Sequence, residues 1–324
     1  MCEYASKLNS LGRAARTNPV SGSAAWADSV ASDDGLFIAL HGSPRWIDGD
    51  ERPVDAHAIA ERFRSIGERL LDRLAGRFAI AMFDIAANRV VLAVDRMGIG
   101  RLTYARVGDC LIFSSSAEHV ARSPLVGADI EPQAVFDYLL MHMIPAPATV
   151  FAGVRKLRAA TCLLFDGNRL SVRKYWQPTF RLRTVRSRSD LNAELFAALR
   201  NAVRATAPND RTGCFLSGGL DSSTVAGLLN ELQPSCPTFS IGFGYEDYDE
   251  LAYARIANRH FGCTGNEYTI NGDDIVAAFP MIARAYDEPF GNSSALPAYY
   301  CARLAKDQGI KHLLAGDGGD ELFA

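Results

Sequence analysis

The chain has 324 residues, of which 48% are hydrophobic and 22% are charged, so it is long enough to bury the cores of two domains. Its 34 basic and 37 acidic residues give a formal net charge of -3, which argues against a nucleic-acid partner and against a disordered acidic tail. The 7 cysteines form no CxxC pair, and neither a signal-like N-terminus nor an apolar run of about 18 residues occurs, so we expect reduced thiols, no membrane span and a cytoplasmic location.

Short apolar runs separated by turn residues dominate the chain from about residue 35 to 175, and they predict a strand-rich α+β domain. The predicted strands cover 35–40, 77–83, 90–94, 111–113 and 163–165. Turns are predicted at 86–88 and 166–168. Helical periodicity is limited to about 55–74 and 132–140.

The second half of the chain follows another pattern. Residues 177–188 carry several arginines and are predicted to form a solvated linker. From residue 189 onwards strands alternate with helices, which predicts βαβ units and a parallel sheet. The predicted strands are 213–216, 238–242, 268–270 and 310–314, and the predicted helices are one that carries Val225, Leu228, Leu229 and Leu232, one at 249–261 and one at 295–308.

The segment 216–223, Leu-Ser-Gly-Gly-Leu-Asp-Ser-Ser, lies between a predicted strand and a predicted helix. Such a turn points backbone N–H groups and the positive end of a helix dipole into one concavity, and three serine hydroxyls add further donors. The segment therefore predicts a phosphate site. It lacks the Gly-Lys-Ser/Thr of a Walker A loop and the G-x-G-x-x-G spacing of a dinucleotide site. Asp221 adds a carboxylate that would suit Mg²⁺ beside phosphate oxygens.

Together with the segment 316–321, Gly-Asp-Gly-Gly-Asp-Glu, this loop resembles the N-type ATP pyrophosphatases, and in particular the synthetase domain of the asparagine synthetase superfamily. Ser-Ile-Gly-Phe at 240–243 and Asp-Glu-Pro at 287–289 fit the same family. The resemblance implies an adenine nucleotide alpha hydrolase-like parallel-sheet domain that uses ATP and Mg²⁺. It also implies that a carboxylate substrate is adenylated, that pyrophosphate leaves, and that an amine or ammonia attacks the acyl-adenylate.

The resemblance implies a role for each motif residue. The residues expected to hold the leaving pyrophosphate are Ser217, Gly218, Gly219, Asp221, Ser222 and Ser223. Those expected to bind Mg²⁺ are Asp221 and Asp320, and those expected to border the adenine and ribose are Leu216, Ile241 and Gly316. Asp317 stands where many relatives carry a glutamate close to the reacting acyl group, which implies a catalytic role as base or orienting residue.

The N-terminal half resembles the class II glutaminase domain at 74–84 and 94–104, which implies an N-terminal-nucleophile-like sandwich fold. Cys2 stands at the nucleophile position of that domain, where its own α-amine would serve as the base. The glutamine-holding parts differ, because His-Gly-Ser at 41–43 replaces Asn-Gly-Glu and no Gly-Ser-Asp clamp is found. We therefore expect a degenerate glutaminase-like domain over 1–176, the linker over 177–188 and the ATP-binding domain over 189–324.

Three functions remain open at this point. The segment 40–49 is similar to the reduced N-terminal domain of lasso-peptide macrolactam cyclases, so the leading hypothesis is a peptide cyclase whose carboxylate lies in a precursor peptide. The alternatives are a glutamine-hydrolysing asparagine synthetase, with aspartate as substrate, and a nucleotide-binding pseudoenzyme. The chain stops three residues after Glu321, where the family continues, so we expect the ATP-binding domain to be C-terminally incomplete. No oligomeric state is predicted.

Overall fold

The computed structural model describes residues 11–15, 18–22, 27–180, 186–206, 211–244 and 249–323. Internal contacts divide the chain into two compact units. The first comprises Met1–Phe180 with Tyr286–Gly291, and the second comprises Arg181–Ala285 with Asn292–Ala324. Clusters of buried apolar side chains fall within one unit or the other, so each unit has its own core.

Antiparallel strands form most of the first unit. They are β1 (Leu11–Ala15), β2 (Asn18–Gly22), β3 (Ser29–Asp33), β4 (Leu36–Trp46), β5 (Leu74–Asp84), β6 (Arg89–Val94), β7 (Thr103–Val107), β8 (Cys110–Ser114), β9 (Arg155–Lys156), β10 (Thr161–Phe165) and β11 (Leu170–Lys174). Within the described residues they make one sheet of order β2-β1-β8-β7-β9 and another of order β11-β10-β6-β5-β4-β3. The predicted strands of this half are therefore confirmed, although β4 begins at Leu36, one residue after the predicted start.

Helices of the first unit are α1 (Ala56–Ile66), α2 (Ala117–Ala121) and α3 (Pro132–Met141), and a 3-10 helix covers Gly67–Arg73. The Asp55 side chain caps α1 by accepting the N–H of Ala58 at 2.8 Å. The helical periodicity predicted over about 55–74 corresponds to two elements, because Gly67 ends α1, its N–H donates to the Phe63 carbonyl, and the 3-10 helix follows. The prediction over 132–140 is confirmed by α3.

Strand β5 is buried on both faces, so one layer of the first unit packs on each side of its sheet. Phe78 and Ile80 pack in one cluster with Ile59 of α1. Side chains of the alternate residues face the other sheet, where the Phe83 and Phe113 rings lie 5.5 Å apart between centroids. Helix α2 packs against the far side of that second sheet. The first unit is therefore layered as helix, sheet, sheet and helix.

The segment Tyr286–Gly291 is held in the first unit by polar contacts. Glu288 accepts a hydrogen bond from Lys156 Nζ at 2.6 Å, and both side chains are largely buried. Asp287 accepts the N–H of Ala117 at 2.5 Å. Both carboxylates of the Asp-Glu-Pro motif thus have partners within the protein, which gives them a structural role.

We expect Glu288→Gln to destabilise the first unit by about 1–2 kcal/mol, because the Lys156 ammonium would lose its counter-charge in a site only partly open to water. Urea unfolding followed by tryptophan fluorescence measures this, since the three tryptophans of the sequence all come before residue 180 and the second unit has none. Glu61→Gln is the matched control, because Glu61 is 65% exposed and should leave the unfolding midpoint nearly unchanged. Equal shifts for the two variants would contradict the prediction.

The second unit alternates strands with helices. Its elements are α4 (Arg188–Thr206), β12 (Thr212–Phe215), α5 (Leu220–Leu232), β13 (Pro237–Gly242), α6 (Leu251–Phe261), β14 (Thr264–Thr269), α7 (Gly272–Ala285), α8 (Ala295–Asp307), β15 (His312–Leu314) and α9 (Gly319–Phe323). The strands form a sheet of order β14-β13-β12-β15, in which every pair is parallel, so the predicted parallel sheet is confirmed. None of the helices in the described part of the chain is both long enough and apolar enough to span a membrane.

The second unit also departs from the sequence-based predictions. Helices α4 and α7 fall where no helix is predicted. Most side chains of α4 are exposed, so it has no clear apolar stripe, and α7 begins at a glycine and contains Pro280. Strand β14 begins at Thr264, four residues before the predicted strand. Its first residues are polar and mostly exposed, so they form no apolar run that would predict a strand.

Candidate functional site

The segment 216–223, called the serine-glycine loop below, connects β12 to α5. Gly219 is the N-cap of α5, and the Ser223 N–H donates to its carbonyl at 3.0 Å. The loop therefore lies at the carboxyl edge of a parallel sheet and at the start of a helix of 13 residues. Ligands of open α/β sheets bind in this position, and a helix start favours phosphate.

Three serine hydroxyls surround the start of α5. Ser217 Oγ and Ser222 Oγ lie 3.0 Å apart, and Ser217 Oγ also accepts the N–H of Gly219 at 3.2 Å. Ser223 Oγ is buried and has no hydrogen-bond partner among the described residues. Hydroxyls held in this way, one of them unsatisfied, suit a ligand rich in acceptor oxygens.

Gly218 brings the serine-glycine loop into contact with α6. Its φ is +91°, a conformation that side chains of L-residues rarely adopt. A Cβ atom at this position would lie 2.5 Å from the Ala254 nitrogen and 2.5 Å from the Tyr253 Cβ. The loop and α6 therefore touch through backbone, and only glycine fits between them.

The segment 316–321, called the acidic loop below, lies against the serine-glycine loop because β15 and β12 are neighbours in the sheet. A Cβ atom at Gly316 would lie 2.7 Å from the Asp221 Cβ. A Cβ atom at Gly319 would lie 2.5 Å from the Asp221 Cγ. The two predicted motifs thus meet at one side chain, Asp221.

The acidic loop adds three exposed carboxylates, Asp317, Asp320 and Glu321. The described residues include no group of three or more His, Cys, Asp or Glu side chains that could hold a metal ion by themselves. Mg²⁺ usually takes only one or two protein carboxylates and completes its shell with phosphate oxygens and water. The oxygen donors present, from Asp221 and the loop serines, fit such an ion when a polyphosphate is bound.

Leu216 and Ile241, both expected to border the adenine and ribose, differ from each other in burial. The Leu216 side chain is only 2% exposed and packs in the core, and the Ser240 hydroxyl donates to its carbonyl at 2.6 Å. Any contact of Leu216 with a nucleotide would therefore be through its backbone. Ile241 is half-buried on β13.

A charged cluster occupies the place in the first unit where the resemblance expects glutamine-binding residues. His41 Nδ1 lies 3.0 Å from Asp28 Oδ2, and His41 Nε2 lies 2.8 Å from Arg77 Nη2. Asp28 also accepts the N–H of Gly42 at 2.7 Å. The polar groups of this cluster bind one another. Cys2, the expected nucleophile position, lies outside the described residues.

The motif 94–104 has a structural explanation. Asp95 is 1% exposed, and its carboxylate accepts the backbone N–H groups of Phe78, Met97, Ile99 and Gly100 at 2.6 to 3.2 Å. The carboxylate therefore organises the turn after β6 and ties it to β5. The resemblance at 94–104 therefore reflects the folding of this turn and gives no evidence of glutamine binding.

Two protein families match the chain. Residues 52–176 match the glutamine amidotransferase domain, and residues 194–324 match asparagine synthase. The second match contains both the serine-glycine loop and the acidic loop, and the first contains Arg77 and the turn at Asp95.

Similar proteins carry related names. A provisionally named glutamine-hydrolyzing asparagine synthetase 2 of Methanocaldococcus jannaschii is 31% identical over 84% of this chain and 54% of its own length. The glutamine-hydrolyzing asparagine synthetase 1 of Bacillus subtilis is 28% identical over 83% and 42%, and that of Bos taurus is 28% identical over 83% and 49%. The chain spans about half the length of these relatives. The chain thus carries an amidotransferase segment followed by an asparagine synthase segment, as its resemblance to the asparagine synthetase superfamily predicts.

Proposed function

We propose that the protein is an ATP-dependent ligase that forms an amide bond. A substrate carboxylate attacks the α-phosphate of ATP, pyrophosphate leaves, and ammonia or an amine then displaces AMP from the acyl-adenylate. The asparagine synthase match over both loops supports this activity. The names of the relatives favour aspartate as the carboxylate over the precursor peptide of the leading sequence-based hypothesis. In this proposal residues 1–176 are the degenerate glutaminase-like domain and residues 189–324 the ATP-binding domain.

The observation that carries the proposal is the contact of Gly316 and Gly319 with Asp221. Two segments about a hundred residues apart in sequence converge there beside a helix start and three hydroxyls. Cleavage of the bond between the α- and β-phosphates places negative charge on pyrophosphate. Charge of that kind is stabilised by preorganised N–H groups, hydroxyls and a cation.

The proposed roles follow from these positions. Backbone N–H groups of Gly218 and Gly219 and the hydroxyls of the loop serines bind the leaving pyrophosphate. Asp221 and Asp320 hold Mg²⁺, which when bound neutralises phosphate charge. Asp317, exposed beside them, orients the attacking amine or accepts its proton.

We further propose that free ammonia or an amine, and not glutamine, supplies the nitrogen. In the first unit the Asp28, His41 and Arg77 side chains bind one another, so they offer neither a carboxylate for the substrate amine nor an oxyanion donor. A second candidate, the lasso-type peptide cyclase, is favoured by the same observation, because a cyclase takes its amine from the peptide itself and needs no glutaminase.

Product analysis tests the proposal. The protein is incubated with ATP, Mg²⁺ and aspartate together with ammonium or glutamine, and in parallel with a peptide that has an acidic residue and a free N-terminus. We expect AMP, pyrophosphate and asparagine with ammonium, and little asparagine with glutamine. A peptide that loses one water would identify the cyclase instead. Binding of ATP without AMP formation under all of these conditions would identify a pseudoenzyme and refute the ligase.

Gly319→Ala tests the contact between the loops. The new Cβ would overlap the Asp221 carboxylate, which can rotate away, so we expect about a 10-fold loss of ATP–pyrophosphate exchange with little change in thermal stability. Gly272→Ala is the control, because a Cβ there meets nothing within 4 Å. Exchange at the level of the control would show that the position of Asp221 is unimportant.

A further inference from the structure

Two cysteines of the second unit lie side by side at the beginning of neighbouring strands. Cys236 precedes β13 and Cys263 precedes β14, and the register pairs Pro237 with Thr264. The Thr264 N–H donates to the Cys236 carbonyl at 3.0 Å, and the two Sγ atoms are 3.5 Å apart. Neighbouring strands lie about 4.8 Å apart, which is within the Cα separation that a disulfide spans.

Both backbones are fixed, so this proximity is part of the fold. The Cys236 N–H donates to Asn230 Oδ1 at 3.2 Å, and the Cys263 N–H donates to the Asn258 carbonyl at 3.0 Å. Metal binding does not explain the pair, because the described residues include no group of three potential ligands. The sequence alone, with 26 residues between the two cysteines, gives no indication of the pair.

The two sulfurs differ chemically. Cys236 is fully buried and donates to Cys263, and this hydrogen bond raises the pKa of Cys236 while it lowers the pKa of Cys263. Cys263 is partly exposed. Burial raises the pKa of the nearby Cys214 thiol to about 12, so Cys214 is a weak competitor. Cys263 is therefore the sulfur that a soluble oxidant would reach first.

We propose that Cys236 and Cys263 form a reversible redox pair that closes to a disulfide when a peroxide is present. The Cys263 thiolate attacks hydrogen peroxide, takes up one oxygen as a sulfenic acid and releases hydroxide. The Cys236 sulfur then attacks the Cys263 sulfur, its proton leaves with the hydroxyl group as water, and the S–S bond forms. A dithiol reductant returns both thiols.

The disulfide would fasten the elements that support the serine-glycine loop. The closed ring contains β13 and α6, and the α6 residues Tyr253 and Ala254 pack against Gly218. A cross-link between the starts of β13 and β14 restricts the unfolded chain, so the oxidised second unit should resist unfolding. This inference does not depend on the proposed ligase activity.

Peptide mapping of the intact chain tests the pair. The protein is treated with hydrogen peroxide, remaining thiols are alkylated, and the chain is cut with trypsin and with a protease specific for glutamate. Cleavage after Glu231 separates Cys214 from Cys236, and cleavage after Arg259 releases Cys263. We expect one cross-linked peptide pair, containing Cys236 and Cys263, which dithiothreitol abolishes. Separate alkylation of the two cysteines after peroxide, or a link from Cys263 to Cys214, would refute the proposal.

Thermal unfolding followed by circular dichroism supplies a second readout. We expect peroxide to raise the melting temperature of the second unit by about 5 °C or more, and dithiothreitol to reverse the change. Cys263→Ser should abolish the shift, and Cys162→Ser, at a buried thiol of the first unit, should retain it. A cross-linked protein with an unchanged or lowered melting temperature would refute the proposed fastening of β13 and β14.

Discussion

We expect Asp221→Asn to lower carboxylate-dependent ATP–pyrophosphate exchange by about 100-fold or more. Asparagine keeps the size of the side chain, so the contact with Gly319 is retained, but it removes the negative charge that would hold Mg²⁺. The effect should therefore be confined to activity. Circular dichroism spectra and melting temperature should match those of the unmodified protein.

Glu231→Gln is the matched control for Asp221→Asn. Glu231 lies in the last turn of the same helix, α5, and its carboxylate pairs with Arg200 at 2.6 Å on the surface. This change also removes one negative charge but leaves the serine-glycine loop intact, so exchange should stay within about twofold of normal. Near-normal exchange in Asp221→Asn at every Mg²⁺ concentration would refute the proposed metal and pyrophosphate site.

The two loops of the candidate site could be found in the sequence, but the way they meet could not. Strand, turn and helix around 216–223 follow from a short apolar run, paired glycines and the apolar spacing of α5. The contact of Gly319 with Asp221 depends on the order of strands in the sheet, in which β15 adjoins β12. The order of strands in a sheet depends on how the helices pack on both of its faces, so it cannot be predicted from the local spacing of apolar residues.

The charged cluster of the first unit, Asp28, His41 and Arg77, could not be predicted from the sequence either. Asp28 belongs to no motif, yet the pairing of Ser29 with Leu40 places it opposite His41. Strand β3 is not among the predicted strands, so its hairpin with β4 could not be predicted from the sequence. The exact register was needed to show which acid reaches the histidine, because a shift of one residue moves every side chain to the other face.

Gly218→Ala is the second change for which we expect a large effect. Alanine at a φ of +91° is strained, and its Cβ would lie 2.5 Å from the backbone nitrogen of Ala254, an atom that cannot move without α6. Strain and overlap together should destabilise the second unit by about 3 kcal/mol. Exchange should fall as well, because displacement of α6 or of the loop moves the N–H groups that would bind pyrophosphate.

Gly262→Ala separates the two causes of this effect. Gly262 ends α6 with a φ of +76°, so alanine is strained there too, but a Cβ meets nothing within 4 Å. This control should lose about 1 kcal/mol and keep its exchange activity. Urea unfolding followed by circular dichroism measures both variants, because tryptophan fluorescence reports only on the first unit. Equal losses of stability would mean that backbone strain alone explains the glycine, and that the close contact between the serine-glycine loop and α6 contributes nothing.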